Sequence, residues 1–241
     1  MDKLKDISND NKLNDIPQNT YDKFNEFIFS DDLKLTGKLL HRFEYFLKVK
    51  DLAGDIVEVG VFKGSGVSSF MKFIEVYCPN SNKKVIGFDI FDTVEAKDIL
   101  DKDGDTDKDN MIVVYDRVGS DDLTLESVTE RLDQTKISKD KYKLIKGDVQ
   151  HSIPKFLDEN KGFRISLLYI DVDLDRPTYH SLKNLWERIL PGGIILFDEY
   201  EYHKFSESVG VERFLKEEGI DYDIKSTNWI APTAFMIKKG F

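Results

Sequence analysis

The stretch that most constrains this chain is Gly54-Asp-Ile-Val-Glu-Val-Gly-Val-Phe-Lys-Gly-Ser-Gly-Val-Ser-Ser-Phe70. Ile56, Val57 and Val59 make a short apolar run suited to a buried parallel strand. Glycines at 60, 64 and 66 follow, and then Val67, Phe70, Met71 and Ile74 recur at helical spacing. The order is strand, tight glycine turn, helix N-terminus. Such a turn lets backbone N–H groups approach a ligand closely and aims the positive end of a helix dipole at it. Taken alone, the stretch also reads as a purely structural turn.

The spacing narrows the ligand. A dinucleotide turn carries G-x-G-x-x-G, whereas here the glycines stand as G-x-x-x-G-x-G, without the pyrophosphate-hugging second glycine. E-x-G-x-x-x-G, from Glu58 to Gly64, is similar to the cofactor loop of class I S-adenosylmethionine-dependent methyltransferases. That likeness implies cofactor-binding roles for Glu58, Val59, Gly60, Val61, Gly64 and Ser65.

A chain of 241 residues suits one α/β domain with a modest extension. The expected division is a polar tail and the start of a helical extension over 1–30, then a single domain over 31–241 with an insertion near 93–120. A net charge of −10 argues against nucleic acid as a partner, because a phosphate backbone demands a basic patch. No apolar run approaches the ~20 residues of a membrane span, and Met1-Asp-Lys-Leu-Lys-Asp lacks a signal-peptide core. Cys78, the sole cysteine, excludes internal disulfides and thiolate metal sites. The expectation is a cytoplasmic enzyme or binding protein.

Residues 1–19 are polar and expected to be disordered. From Tyr21 the aromatic and aliphatic spacing fits two short amphipathic helices, which either cap a sheet face or form a ligand lid or dimer contact. Lys84–Asp89 reads as a second strand ending in an acid placed to accept hydrogen bonds from a ribose diol. Residues 98–110 have the acid density of a calcium loop. They fail in detail, with Thr106 where glycine belongs and Ile112 where glutamate belongs, so a solvated insertion is the better reading. Leu123–Leu132 reads as a helix capped by Asp121 or Asp122. Further strands are expected at 142–148, 165–171, 194–198, 222–225 and 234–238, the last inserted antiparallel beside the sixth. The expected fold is α/β, a Rossmann-like, seven-stranded and mostly parallel sheet with helices on both faces.

The densest chemistry is Tyr169-Ile-Asp171-Val-Asp173-Leu-Asp175-Arg-Pro-Thr178, together with Asp198-Glu199. Ligands of open α/β sheets bind at the carboxyl ends of strands, near the switch in strand order. Asp171, Asp173, Asp198 and Glu199 should therefore converge beside the glycine loop. Crowded carboxylates repel, and a hard cation is the usual remedy. Asp171, Asp198 and Glu199 are the candidate ligands for Mg2+ (or Mn2+), and Asp173, on the same face by strand alternation, is the candidate base. Helix caps and solvated acids are the bland alternative. His203 is a secondary candidate base, and Lys63 either steers a carboxylate or faces solvent.

Asp55–Gly66, Gly87–Thr93, Gly147–Pro154, and above all Leu168–Thr178 with Leu190–Tyr200, resemble the macrocin O-methyltransferase family. The resemblance implies S-adenosylmethionine-dependent methylation of a sugar hydroxyl on a nucleotide-linked deoxysugar, glycan or glycosylated natural product. It implies Mg2+ on Asp171, Asp198 and Glu199, with Asp173 as base. For the cofactor it implies Glu58, Gly60 and Asp89, Asp148 and Val149 near the adenine, and Asp171 beside it. Two positions depart from the family pattern: Glu199 stands for a second Asp, and Asp175 for the usual Tyr. The resemblance and the aromatic N-terminal helices favour a homo-oligomer. Competing functions are methylation of a small phenol or catechol, and a cofactor-binding module without turnover.

Overall fold

The computed structural model describes residues 17–103 and 107–240. Most of the polar tail and the middle of the acidic segment fall outside those residues. The chain divides after residue 36 into a short N-terminal unit and a large one. The first holds α1 (Gln18–Ile28) and the opening turn of α2 (Leu33–Val49), where the Asp32 carboxylate accepts from the Leu35 amide at 3.0 Å. Two helices thus precede the first strand, as the aromatic spacing implies.

The large unit carries β1 (Asp55–Val59), β2 (Val85–Asp89), β3 (Tyr142–Lys146), β4 (Ile165–Ile170), β5 (Ile189–Phe197), β6 (Lys225–Ser226) and β7 (Ala234–Ile237). They form one sheet in the order β3-β2-β1-β4-β5-β7-β6. Neighbours among the first five run parallel, and β7 runs antiparallel to both β5 and β6. The expected topology is therefore present, with β1 and β4 flanking the switch in strand order.

Strand alternation sorts the side chains into two cores. Val57, Leu168 and Ile195 face α7 (Val149–Glu159), α8 (Asp175–Leu185) and α9 (Glu207–Glu217) through Phe156, Leu182 and Phe214. Ile56, Leu167 and Ile194 face α2, α3 (Ser65–Tyr77) and α6 (Leu125–Asp133) through Phe46, Phe70 and Leu132. Each such fully buried Phe or Leu contributes roughly 1.5–3 kcal/mol. Among the described residues, no helix is long and apolar enough to cross a membrane.

Several local expectations need correction. The acidic insertion forms α4 (Thr93–Asp103) and α5 (Lys108–Asp116), whose Leu100 and Met111 pack on Leu174. Part of the rejected calcium loop lies outside the described residues, and within them Asp101 pairs with Lys108. The cap of α6 is Thr124, which accepts from the Ser127 amide at 3.1 Å, while Asp122 pairs with Lys63 at 2.9 Å. A hydroxyl one residue before the helix outcompetes acids placed too early to reach its first amides. β6 begins only at Lys225, because Tyr222 turns inward against the Trp186 ring, 5.1 Å away. β5 starts ahead of the Pro191-Gly-Gly193 segment and absorbs it as a register shift against β4.

The glycine turn seats directly against the end of β4. Gly60 has φ +91°, and a Cβ there would stand 1.8 Å from the Asp171 carbonyl oxygen. Gly60→Ala should lower unfolding stability by about 2 kcal/mol or more, combining left-handed strain with the clash. Urea denaturation checks this, with Gly162→Ala, whose Cβ meets nothing within 4 Å, as the unaffected control.

Candidate active site

One sheet face assembles the site. Glu58 shares its face with Ile56, and Tyr169 with Leu167, the side on which α2 packs. The Asp171 amide donates to the Val59 carbonyl at 2.8 Å, and the Asp198 amide to that of Ile170 at 3.0 Å. Both acids therefore sit one step beyond their strands while keeping strand register, so alternation sends them to the same side. Facing them on α2, the positions 38, 42, 45, 46 and 49 form one helical stripe. Arg42, Tyr45, Phe46 and Val49 on it are buried.

Lys38 and Arg42 are the cations of that stripe. The Lys38 ammonium donates to Asp171 Oδ2 at 2.7 Å and to Asp198 Oδ2 at 2.8 Å. The other oxygen of Asp198 accepts a short hydrogen bond from the Tyr169 hydroxyl. Arg42 Nη2 lies 3.4 Å from Glu58 Oε1 and 3.6 Å from Asp171 Oδ2, and its guanidinium stands 4.9 Å from the Tyr169 ring centre. Burial alone would discharge Lys38, but Asp171 and Asp198 outweigh it and hold the ammonium above its ordinary range. Burial likewise opposes ionisation of Asp198, yet Lys38 and Tyr169 keep it below the usual carboxylate range. Asp171 is pushed up to about 6 by burial and by Asp198.

Asp173 lies in the loop after β4 with φ +65°, so strand alternation is not what aims it. That left-handed backbone costs on the order of 1–2 kcal/mol in a non-glycine residue, least in Asp or Asn. Burial, then the neighbouring Asp171, Asp198 and Glu199, raise its carboxyl well above the ordinary range. The predicted acids are therefore electrostatic neighbours. Glu207 on α9 joins them: it is fully buried, and its Oε1 accepts from the Glu199 amide at 3.0 Å. Its Oε2 has no hydrogen-bond partner among the described residues, and burial together with Asp173 and Asp198 raises its pKa strongly.

The cofactor candidates divide by location. Gly60 and Gly64 have positive φ in the turn, Val59 and Val61 are buried beneath it, and Ser65 opens α3 exposed. Glu58 lies under the helix start, where a Cβ on Gly66 would meet its Oε1 at 1.7 Å. Asp89 joins two loops by accepting from the Phe62 amide at 2.8 Å and the Phe91 amide at 3.0 Å. Asp148 caps α7 through the Gln150 amide at 3.0 Å and pairs with Arg176, and Val149 is buried in the core. His203 falls in the loop after β5, stacked edge-on to Tyr202.

Lys38, Arg42, Tyr115 and Glu207 escaped the sequence reading. For the two cations a signal existed: they interrupt an apolar helical stripe at i and i+4. Tyr115, on α5, is half-buried, and burial with the charges of Asp89 and Asp173 raises its hydroxyl pKa. The charges of those two acids thus reach the insertion, which no local pattern in 93–120 announces.

The macrocin-O-methyltransferase (TylF) profile matches residues 38–235, most of the chain and every acid of the site described above. The chain belongs to the macrocin-O-methyltransferase family. A curated relative of this family member is the 8-demethyl-8-(2,3-dimethoxy-alpha-L-rhamnosyl)-tetracenomycin-C 4'-O-methyltransferase of Streptomyces olivaceus, 26% identical over 147 residues. The match takes in 61% of this chain and 53% of that protein, so the chain spans about half the length of the curated relative it matches. Among solved structures, the fold is similar to CalS11, a TDP-rhamnose 3'-O-methyltransferase of calicheamicin biosynthesis, at TM-score 0.68 and 23% identity over 92% of this chain and 87% of that one. It is also similar to the O-methyltransferase NovP, at TM-score 0.65 and 17% identity over 84% and 79% of the two chains. TomG of Streptomyces achromogenes, solved with S-adenosylmethionine, matches at TM-score 0.56 and 14% identity over 90% and 86%. These likenesses establish the class I methyltransferase fold.

The residues present fit the sulfonium cofactor. The Phe62 and Phe91 amides fix the Asp89 carboxylate beside the Gly60–Gly64 turn, at the end of β2 where it would face a diol. Divalent metal fits less well. Both oxygens of Asp198 are engaged, one by a phenol and one by an ammonium. Among the described residues, no three His, Cys, Asp or Glu side chains stand together as a metal-ligand set.

Glu58 offers a test of this electrostatics. Burial raises its carboxyl from 4.5 to about 7, against the opposing charge of Arg42. The folded chain therefore binds this proton more tightly than the unfolded one, and the stability it contributes is full below pH ~4.5 and lost as pH rises through ~7. Glu58→Gln should be more stable than the natural chain by about 3 kcal/mol at pH 8, the gap closing toward pH 4.5. Urea unfolding across that pH range measures it.

Proposed function

We propose that this chain transfers a methyl group from S-adenosylmethionine to a sugar hydroxyl, on a nucleotide-linked deoxysugar, a glycan or a glycosylated natural product. The observation that carries the reading is the gathering of Asp171, Asp173, Asp198 and Glu199 at the carboxyl ends of β4 and β5, beside a Glu58–Gly64 turn that opens a helix. Two similar proteins whose names specify rhamnose-type acceptors support the sugar class. The acidic charge balance supports a small-molecule acceptor over nucleic acid.

When bound, S-adenosylmethionine supplies an electrophilic methyl group, whose carbon–sulfur bond breaks onto sulfur as the acceptor oxygen–carbon bond forms. Gly60, Gly64 and Asp89 would hold it, with Asp148 toward the adenine end. Asp173 accepts the acceptor hydroxyl proton, and its raised pKa makes it a stronger base than a solvated carboxylate once ionised. Magnesium, expected from the acid count, has no step in this proposal, because Lys38 and Tyr169 already engage Asp198.

Labelled S-adenosylmethionine offered with nucleotide-linked deoxysugars should give a methylated sugar, identified by mass, and no product with catechol. Asp173→Asn should lower kcat about 100-fold or more while cofactor affinity measured by calorimetry changes less than about threefold. Methylation of catechol in preference to every sugar would overturn the acceptor class. An Asp173→Asn variant as active as the natural chain would remove the base.

A further inference from the structure

We propose that the ammonium of Lys38 is the built-in cation of this site, standing where a divalent ion would bridge Asp171 and Asp198, so that turnover requires no added metal. The inference rests on the methyl-transfer reading above and adds to it the identity of the compensating charge.

Three observations carry it. The ammonium sits at 2.7 and 2.8 Å from the facing oxygens of the two aspartates, a bridge rather than a single ion pair. Each oxygen of Asp198 already accepts a hydrogen bond, Oδ1 from Tyr169 and Oδ2 from Lys38. The side chain of Lys38 is only 18% exposed, and it is carried by a helix anchored by the fully buried Phe46 and Val49. A dangling surface lysine would lose too much rotamer entropy to hold such a position against two screened partners. Here the surroundings are low in dielectric, and the two carboxylates would be costly to bury without it. An ammonium has three donors, so two bonds to aspartate leave one directed elsewhere. Arg42, one turn along, does for Glu58 and Asp171 from the other side what Lys38 does for Asp171 and Asp198.

Lys38 is thus a positioning residue: it fixes the ionised Asp171 and Asp198 against which Asp173 is held as a base. A divalent ion and this ammonium compete for the same oxygens. Only a chain lacking the lysine should accept the metal.

The test combines turnover with a metal titration that does not depend on turnover. In the natural full-length chain, excess EDTA should change the methylation rate by less than about twofold, and Mn2+ titrated against the cofactor-free protein should show no saturable binding up to about 1 mM, followed by the electron paramagnetic signal of free Mn2+. Lys38→Ala should lose about 100-fold in kcat with cofactor affinity retained, and regain about tenfold with ethylammonium chloride, a rescue that a merely structural role would not give. The same variant should gain Mn2+ binding. Saturable Mn2+ binding by the natural chain, EDTA-abolished activity restored by Mg2+, or full activity in Lys38→Ala would each overturn the proposal. Should no sugar be methylated under any condition, the acceptor reading falls, and the Mn2+ titration of the natural chain and of Lys38→Ala still decides the cation.

Discussion

Two like charges about 4 Å apart at an effective dielectric near 20 repel by about 4 kcal/mol, which is a large share of a domain's net stability. Asp171, Asp198 and Glu199 act on Asp173, and Asp171, Asp173 and Asp198 act on Glu207, at the ends of β4 and β5. Such a cluster survives only if some members stay protonated or are paired. Both solutions are present. Lys38 pairs Asp171 and Asp198, while burial and the neighbouring acids raise the pKa of Asp173 and Glu207, left outside that bridge, well above the ordinary range. The division of roles among chemically similar acids follows from which of them the ammonium reaches.

That arrangement depends in turn on the sheet. Parallel register places Asp171 beside the Val59 carbonyl and Asp198 beside that of Ile170, and alternation sends both side chains toward α2. The helix can deliver two cations because Tyr45, Phe46 and Val49 lock its rotation against the core. Helix spacing then puts Lys38 and Arg42 one turn apart along the row of acids. Backbone geometry fixes the charges, and the charges in turn make burial of the acids tolerable.

The topology was legible because the parallel strands are short apolar runs bounded by glycine or acid, with helical periodicity between them, as in Ile165–Ile170 and Leu182–Leu185. The antiparallel end could be read from the short gap before Ala234. The acid neighbourhood was legible too, since strand-end carboxylates in a doubly wound sheet have one place to go. What could not be read was how its charge is balanced. Counting acids in sequence order suggested a metal and gave no sign of Lys38 and Arg42, which pair with Asp171 from more than a hundred residues away along the chain. Asp173 reached its expected neighbourhood by a left-handed loop residue, a conformation that sequence alternation does not describe. The insertion at 93–120 was opaque because its apolar residues, Leu100 and Met111, find their partner in Leu174, on a different element.

That last packing contact bears on how such a protein can vary without disturbing its sheet. α4 and α5 rest on Leu174 and Phe205, and the Asn110 side chain donates to the Lys204 carbonyl at 2.8 Å, so the insertion leans on the loop after β5 and on the residue that follows Asp173. None of these contacts includes a strand. Residues lining this canopy can therefore drift, lengthen or exchange bulk while the sheet and its row of acids stay as they are. Such changes refit a roof and leave the floor beneath it untouched.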